Sequence, residues 1–212
     1  MELSHSPPSE RLRLGIDLDG VVADFNVGWM ERYNSEFGTD LHHTQVVMWD
    51  GLQRLTHFES MDDFWQWARS GPASIFRHLP VFDGAIEAMA ELAREHRIVI
   101  VSSKFDWAIS DTLAWMAEHR LPAREIHFVW DKTSVPCDVY LEDAPANLDA
   151  LVATRPEALV CRMVRPWNRP LPGALDVTNW DEFREAVAER AATGAERTPT
   201  AARQVGEDLP RA

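Results

Sequence analysis

The stretch of this sequence that decides the fold is Leu14-Gly15-Ile16-Asp17-Leu18-Asp19-Gly20-Val21-Val22-Ala23-Asp24-Phe25. Apolar residues lead into two aspartates that stand two positions apart. Side chains at positions i and i+2 of a strand lie on one face, so Asp17 and Asp19 converge as the chain leaves the strand. Gly20 allows a sharp turn, because glycine adopts backbone conformations that a side chain forbids. Two crowded carboxylates need a cation, a shared proton or a separation of roles, so the stretch predicts a chemical site at the carboxyl edge of a sheet.

Further segments rich in apolar residues are predicted to be strands, and helix-like segments separate them. The predicted strands are 12–17, 97–101, 126–130, 138–141 and 158–164. Strands that alternate with helices imply right-handed crossovers. The predicted fold class is therefore α/β, with a Rossmann-like, mainly parallel sheet flanked by helices. Ligands of such sheets bind outside the carboxyl ends of the strands, which is where the polar motifs of this chain fall.

Residues 24–82 differ from the rest of the chain, because they hold eleven of its twenty aromatic residues. Phe25, Trp29, Tyr33 and Phe37 recur every fourth residue, which places them along one helix face, and Tyr33 and Phe37 are expected to pack in the core. The block predicts a small helical cap inserted after the first strand. The predicted organisation is a disordered leader (1–11), a Rossmann-like core (12–23 and 83–190), the cap (24–82) and a disordered tail (191–212).

Composition and charge narrow the class of protein. The 212 residues are 45% hydrophobic and 26% charged, as in a globular domain large enough to bury a core. The formal net charge is −13 and no Lys/Arg cluster is visible, which disfavours a nucleic-acid polymer as partner and polynucleotide end processing as function. The two cysteines, Cys137 and Cys161, indicate no disulfide framework and favour a reducing cytoplasm. No signal peptide and no membrane partner are expected.

The segment Asp17–Phe25 resembles the first motif of the haloacid-dehalogenase superfamily, in the form seen in 5'(3')-deoxyribonucleotidases. The other signatures of the superfamily follow in the same order. They are a strand ending in Ser102-Ser103, then Asp131-Lys132-Thr133, then Leu141-Glu142-Asp143-Ala144-Pro145. One Asp-x-Asp-Gly alone is weak evidence, since Asp and Gly are ordinary turn residues, whereas four motifs in order are specific. The resemblance covers about residues 12–190 and implies a phosphatase of this superfamily.

The resemblance implies a role for each of these side chains. Asp17 would be the nucleophile that forms an acyl-phosphate. Asp19 would be the general acid that protonates the leaving oxygen, and then the base that activates water. Superfamily members that cleave carbon–halogen bonds lack this second carboxylate, so Asp19 indicates phosphoryl transfer. The Ser102 hydroxyl and the Ser103 backbone N–H would hold phosphate oxygens, and Lys132 would neutralise charge on the transferring group.

The same resemblance implies Mg²⁺ as the cofactor, bound by Asp17, the backbone carbonyl of Asp19 and Asp143. Many relatives have two aspartates where this chain has Glu142-Asp143. Glu142 either orients a metal-bound water or is displaced by its extra methylene group, and the sequence leaves both options open. Lys104 is a further candidate for phosphate binding.

Aromatic side chains of the predicted cap are candidates for a nucleoside pocket, because every base offers a flat face for stacking. The predicted pocket residues are Phe25, Trp29, Trp49 and Trp65, and Arg165-Pro166-Trp167-Asn168 is expected to rim the same cleft. The predicted function is hydrolysis of (deoxy)nucleoside monophosphates to nucleoside and phosphate, with deoxypyrimidine substrates first by resemblance. Two rivals stay open: a phosphatase of a sugar phosphate or other small phosphomonoester, and a non-catalytic nucleotide-binding module. The oligomeric state, a homodimer included, is left open.

Overall fold

The structure is a computed structural model that describes residues 11–196 of the chain. Six strands form one sheet within this range: β1 (Arg13–Ile16), β2 (Arg97–Ser102), β3 (Glu125–Phe128), β4 (Val139–Glu142), β5 (Leu159–Met163) and β6 (Ala174–Val177). Their order across the sheet is β3-β2-β1-β4-β5-β6, and each neighbouring pair is parallel. The predicted α/β class, with a Rossmann-like parallel sheet and flanking helices, is confirmed.

Helices precede or follow each strand of the sheet. They are α1 (Phe25–Phe37), α2 (Met61–Ala68), α3 (Ala85–Glu95), α4 (Asp106–Glu118), α5 (Pro145–Thr154) and α6 (Trp180–Glu196). Both α1 and α2 fall between β1 and β2, in residues 24–82, which are called the helical segment from here on. Its standing as a separate cap domain stays a prediction.

The position of β1 at the centre of the sheet determines where a ligand can bind. Ile16 pairs with Ile100 of β2 on one side and with Leu141 of β4 on the other. Strands β2 and β3 lie on one side of β1 and strands β4, β5 and β6 on the other, so the strand order reverses beside β1 and leaves a crevice at its carboxyl end. The first motif begins directly there, at Asp17.

Apolar residues cover both faces of the sheet. In β2, Ile98 and Ile100 belong to the larger buried cluster, whereas Val99 and Val101 belong to a smaller cluster on the opposite face. The larger cluster also contains Trp29 of α1, whose side chain is fully buried. The helical segment and the sheet therefore share one core, and burial of apolar surface holds them together.

Strand β6 was not among the predicted strands. It has four residues and lies at the edge of the sheet, where Leu175 is 42% exposed and Asp176 is also exposed. A short edge strand carries no continuous apolar run, so the pattern that revealed the inner strands is absent from it. Phe37 also differs from expectation, because this last residue of α1 is 40% exposed and packs against the His57 ring near the surface.

The ends of the chain depart from the predicted boundaries. Helix α6 continues to Glu196, so a disordered tail that begins at residue 191 is wrong. Ala191 and Ala192 are strong helix formers and extend the helix. The predicted leader, apart from Arg11, and the tail from residue 197 onward lie outside the described residues. Among residues 11–196, no helix is both long enough and apolar enough to cross a membrane.

Candidate active site at the carboxyl edge of the sheet

Three of the sequence motifs meet where β1, β2 and β4 end. Asp17 directly follows β1, and its backbone N–H donates to the Leu141 carbonyl of β4 at 3.1 Å. Ser102 is the last residue of β2, and Asp143 directly follows β4. Asp17, Ser102 and Asp143 are all buried. The parallel register therefore brings side chains that are distant in sequence to one small volume.

Gly20 is required by the turn that follows β1. Its φ is +76°, in the left-handed region, and a Cβ at this position would lie 2.1 Å from Asp143 Oδ2. The Leu18 carbonyl accepts hydrogen bonds from the backbone N–H groups of the three residues after Gly20, which closes the turn tightly. The absence of a side chain at Gly20 lets the carboxylate of the fourth motif approach the first motif.

Lys132 of the third motif extends from a short 3₁₀ turn after β3 into the same site. The turn is held by Asp131, whose carboxylate accepts the Thr133 backbone N–H at 3.0 Å. Lys132 Nζ lies 2.9 Å from Asp17 Oδ1 and 2.5 Å from Glu142 Oε2. Burial lowers the pKa of Lys132, but the two carboxylates outweigh burial and raise its pKa above the ordinary value. Lys132 is therefore a charged side chain in the interior of the protein.

Glu142 has partners for both carboxylate oxygens. Oε1 accepts the backbone N–H groups of Asp143 at 3.1 Å and Ala144 at 2.9 Å, and Oε2 accepts Lys132. Burial, followed by the nearby Asp17 carboxylate, raises the pKa of Glu142, and Lys132 opposes this shift. The extra methylene group of glutamate does not displace the side chain from the site. It lets the carboxylate hold the strand end and Lys132 together.

The carboxylates of this site fit a divalent cation. Asp17, Glu142 and Asp143 each offer an oxygen, and these oxygens lie within 4.8 Å of one another. Asp143 is fully buried, and its Oδ1 has no hydrogen-bond partner among residues 11–196. Burial, and then the neighbouring Glu142 and Asp17 carboxylates, raise the pKa of Asp143 well above its usual value. A cation with a preference for oxygen ligands, such as Mg²⁺, would relieve this repulsion.

Asp19 lies beside Lys104, a residue whose role the sequence left open. Lys104 is buried, its Nζ contacts Asp19 Oδ2, and the same nitrogen lies 4.0 Å from the centre of the Phe76 ring. Burial raises the pKa of Asp19, and the charge of Lys104 opposes the shift. Lys104 is thus placed to act on the ionisation of Asp19.

A cavity of about 300 Å³ opens over these residues, between the sheet edge and the helical segment. Asp17, Asp19, Ser102, Ser103, Lys104, Lys132 and Asp143 line its floor, and Phe25, Trp49 and Trp65 line its walls. The Ser103 hydroxyl donates to the Val129 carbonyl at 2.9 Å, so this side chain holds the neighbouring loop.

Trp29 does not line the cavity, so its prediction as a pocket residue is wrong. It is fully buried, its ring packs edge-on against Phe64 at 5.4 Å, and its indole N–H donates to Asn26 Oδ1 at 3.1 Å. Trp29 lies one helical turn beyond Phe25. Although the two share a helix face, only the first turn of α1 reaches the sheet edge, and the next turn enters the core.

The side of the cavity formed by the sheet contains aromatic residues that were not predicted from the sequence. Phe105 and Trp130 line the wall, with ring centres 5.3 Å apart, and Phe105 lies 5.3 Å from Trp65. Each follows a strand end, since Phe105 comes just after Ser102-Ser103-Lys104 and Trp130 just before Asp131-Lys132. Adjacency to those motifs was the available signal. Trp167, expected at the rim, also lines the cavity.

Comparison with known proteins identifies the family of the chain. The model of the family described as "5' nucleotidase, deoxy (Pyrimidine), cytosolic type C protein" matches residues 11–192. The chain belongs to this family. As a member of the cytosolic type C 5'-nucleotidase family, it is a hydrolase of phosphoric monoesters.

Two relatives of this family member carry deoxyribonucleotidase names. A protein of Chlorobaculum tepidum named "Putative 5'(3')-deoxyribonucleotidase" is 30% identical over 151 residues, which are 65% of this chain and 72% of that protein. The 5'(3')-deoxyribonucleotidase of Bacillus subtilis (strain 168) is 22% identical over 178 residues, 82% of this chain and 97% of that protein.

A solved structure, the "putative HAD-hydrolase YfnB from Bacillus subtilis bound to magnesium", superposes on this family member with a TM-score of 0.56. The identity is 11%, and the match covers 84% of this chain and 99% of the other. At this identity the likeness establishes a shared fold and no more.

Proposed function

We propose that this protein hydrolyses (deoxy)nucleoside monophosphates to nucleoside and phosphate, with Mg²⁺ as cofactor and an aspartyl-phosphate on Asp17 as intermediate. The observation that carries the proposal is the meeting of Asp17, Asp19 and Asp143 with Lys132 on the floor of one cavity. A non-catalytic binding module has no need for a second aspartate beside the first. The buried carboxylate cluster therefore supports catalysis over binding alone.

Asp17 is the proposed nucleophile. One of its carboxylate oxygens attacks phosphorus, the ester P–O bond breaks, and the leaving oxygen takes a proton from Asp19. Burial raises the pKa of Asp19, which favours the protonated form that this step needs. Lys132, 2.9 Å from Asp17, offsets the negative charge that gathers around the transferring phosphoryl group. The Ser102 hydroxyl and the Ser103 backbone N–H are the proposed donors to the phosphate oxygens.

In the second half of the reaction Asp19 acts as a base instead of an acid. The ionised carboxylate accepts a proton from water while the water oxygen attacks the phosphorus of the acyl-phosphate. The bond between Asp17 and phosphorus breaks, and inorganic phosphate leaves. Lys104 contacts Asp19 and stabilises its ionised form, which the second half of the reaction needs. Burial favours the protonated form, which the first half needs.

Asp17 and Asp143, with the backbone carbonyl of Asp19, are the proposed ligands of Mg²⁺. A bound magnesium ion supplies positive charge that neutralises the phosphate and orients it. The unpartnered, buried Oδ1 of Asp143 supports this assignment, because a buried carboxylate oxygen without a partner is costly. Glu142, whose oxygens are occupied, is proposed to hold Lys132 in place.

The substrate class follows from the walls of the cavity. Phe25, Trp49 and Trp65 from the helical segment face Phe105 and Trp130 from the sheet edge. Such walls suit a flat base, whereas a sugar phosphate offers no π-face for stacking. The family description and the names of the relatives support the same choice.

A phosphate-release screen tests the proposal directly. Deoxynucleoside and nucleoside monophosphates are compared with hexose phosphates at equal concentration, first after EDTA treatment and then with added Mg²⁺ or Ca²⁺. We expect deoxynucleoside monophosphates to be hydrolysed best, with activity lost in EDTA, restored by Mg²⁺ and poorly supported by Ca²⁺, which prefers longer bonds and more ligands. Preference for hexose phosphates would overturn the nucleotidase assignment. Full activity in EDTA, or in Asp143→Ala, would overturn the metal assignment.

A further inference from the structure

The loop between β5 and β6 donates hydrogen bonds to both the side chain and the backbone of Asp143. The Trp167 indole N–H donates to Asp143 Oδ2 at 2.9 Å. The Asn168 side-chain amide donates to the Asp143 backbone carbonyl at 2.8 Å and to the Met163 carbonyl at 2.8 Å. Asp143 therefore has both its backbone and one carboxylate oxygen held by neighbouring residues of this loop.

The two carboxylate oxygens of Asp143 differ as a result. Oδ2 accepts a hydrogen bond from Trp167, whereas Oδ1 is buried and has no partner in the described part of the chain. We propose that Trp167 is a positioning residue that holds Asp143 in one orientation and so presents Oδ1 to the cation. The inference rests on the proposed function, since it assigns a partner to the proposed magnesium ligand. Groups that orient a ligand in this way usually change metal affinity strongly when they are removed.

The same loop also holds the turn of the first motif. Arg165 Nε donates to the Gly20 carbonyl at 2.6 Å, and its guanidinium lies 4.1 Å from the centre of the Phe82 ring. Gly20 in turn is the residue whose missing side chain makes room for Asp143 Oδ2. Arg165 and Trp167 thus connect both sides of the carboxylate cluster to one loop.

An ion pair between a buried arginine and an exposed aspartate anchors this loop to the edge of the sheet. Arg162 of β5 is buried and donates to both oxygens of Asp176 in β6, Nε to Oδ1 at 2.7 Å and Nη2 to Oδ2 at 2.5 Å. Its Nη1 donates to Asn168 Oδ1 at 2.6 Å. A bidentate pair of this kind is geometrically specific. The orientation of Asp143 is therefore supported from β6 through Arg162 and Asn168.

The test is a metal-binding titration in the absence of substrate. The dissociation constant for Mg²⁺ is measured by calorimetry on the full chain and on Trp167→Phe, which removes the donor and keeps a smaller aromatic ring in the cavity wall. Trp115→Phe is the matched control. Trp115 is buried, and like Trp167 it uses its indole N–H as a donor, to the Leu79 carbonyl at 2.7 Å, away from the cavity.

We expect Trp167→Phe to weaken Mg²⁺ binding about 10- to 100-fold and Trp115→Phe to leave it unchanged. Mg²⁺ affinity within twofold of the unaltered protein in Trp167→Phe would overturn the inference. Equal weakening in Trp115→Phe would also overturn it, since a general loss of stability would then explain the effect.

A second variant serves if Trp167→Phe fails to fold. Replacement of Trp167 by benzothienylalanine, in which sulfur takes the place of the indole N–H, preserves the shape of the ring and removes the donor, and the same weakening is expected. Failure of the inference is distinct from failure of the proposed function. Tight Mg²⁺ binding that is lost in Asp143→Ala but unaffected at Trp167 overturns the positioning role alone. No Mg²⁺ binding by the unaltered protein overturns both.

Discussion

Lys132 is the one cation that contacts both Asp17 and Glu142 in the described part of the chain. All three side chains are buried. Burial alone would lower the pKa of Lys132, yet the two carboxylates raise its pKa above the ordinary value. Its charge is therefore part of the folded structure and also part of the proposed chemistry.

Lys132→Met should lower the free energy of unfolding by about 3–5 kcal/mol when measured by urea unfolding in EDTA, because two buried carboxylates lose their counter-ion. Added Mg²⁺ should recover part of this loss, since a cation at the same cluster replaces some of the missing charge. The control is Arg184→Met, which breaks a half-exposed pair with Glu91 at 3.0 Å and should cost at most about 1 kcal/mol. Equal losses in the two variants would contradict the buried role of Lys132.

Gly20 offers a second test on a single residue. Gly20→Ala and Gly38→Ala both place a side chain at positive φ, +76° and +63°, and each should lose about 1–2 kcal/mol of stability for that reason. Gly20→Ala should lose more and should also weaken Mg²⁺ binding, because its Cβ would lie 2.1 Å from Asp143 Oδ2, whereas the Cβ of Gly38→Ala meets no atom within 4 Å. Urea unfolding and Mg²⁺ titration measure the two effects. Identical behaviour of the two variants would rule out the close approach.

An ion pair ties β1 to β3 across β2. Arg13 of β1 donates to both oxygens of Glu125 in β3, Nη1 to Oε1 at 2.7 Å and Nη2 to Oε2 at 3.0 Å. The hydrogen bonds from Arg13 lower the pKa of Glu125 from 4.5 to about 2. A carboxyl group with a lowered pKa in the folded state adds stability above its unfolded pKa, and that stability is lost as the pH falls through the folded value.

Glu125→Gln should therefore be less stable than the unaltered protein near pH 7. The difference should reach at most about 1 kcal/mol, because both side chains are about one-third exposed. It should shrink as the pH falls from about 4.5 to about 2, where Glu125 becomes protonated in the folded protein too. Urea unfolding across this range is the measurement. A difference that does not change with pH would show that the ion pair is not its cause.

The strands and helices that could be predicted are those with a strong periodic or continuous pattern. The run from Ile98 to Val101 is apolar at each position, because both faces of β2 are covered. Strand β6 has no such pattern, since none of the described strands lies on its outer side. The spacing of Phe25 and Trp29 gave their helix face correctly. The spacing could not show how far each helical turn lies from the sheet edge. That distance decides whether a side chain lines the cavity or packs in the core.

The site itself was predictable to the extent that its residues stand in contiguous motifs. Asp17, Ser102, Lys132 and Asp143 each follow or end a strand, and parallel pairing brings such positions together. Contacts made across long sequence separations were not predictable. The hydrogen bond from Trp167 to Asp143 depends on how the loop between β5 and β6 folds back over the sheet. No local sequence pattern predicts the path of that loop.

The charge of the whole molecule and the charge of its cavity have opposite effects on an anionic substrate. The formal net charge is −13, which repels a long polyanion. Inside the cavity, Lys104 and Lys132 are both buried and face the carboxylates of the floor. A small phosphomonoester that enters can meet these lysines at close range. The aromatic walls then decide between substrates of similar charge.

Trp49 is expected to contribute to the preference for nucleotides over other phosphate esters. It lines the cavity and is 47% exposed, so its loss should cost little stability. A stacked base gains roughly 1–3 kcal/mol. Trp49→Ala should therefore lower kcat/KM for deoxynucleoside monophosphates by about one to two powers of ten and leave hexose phosphates nearly unchanged. Phe37→Ala, at an exposed aromatic outside the cavity, is the control. Equal losses on both substrate classes would exclude a base contact at Trp49.

The central claim is that Asp17 becomes covalently phosphorylated during turnover. The most direct measurement is rapid acid quench of the enzyme with ³²P-labelled deoxynucleoside monophosphate, followed by peptide mapping and hydroxylamine treatment. We predict a hydroxylamine-sensitive phosphate on the peptide that contains Asp17, none in Asp17→Asn, and turnover slowed about 10²- to 10⁴-fold in Asp19→Asn. Normal turnover by Asp17→Asn, with no labelled peptide from the unaltered enzyme, would contradict the claim.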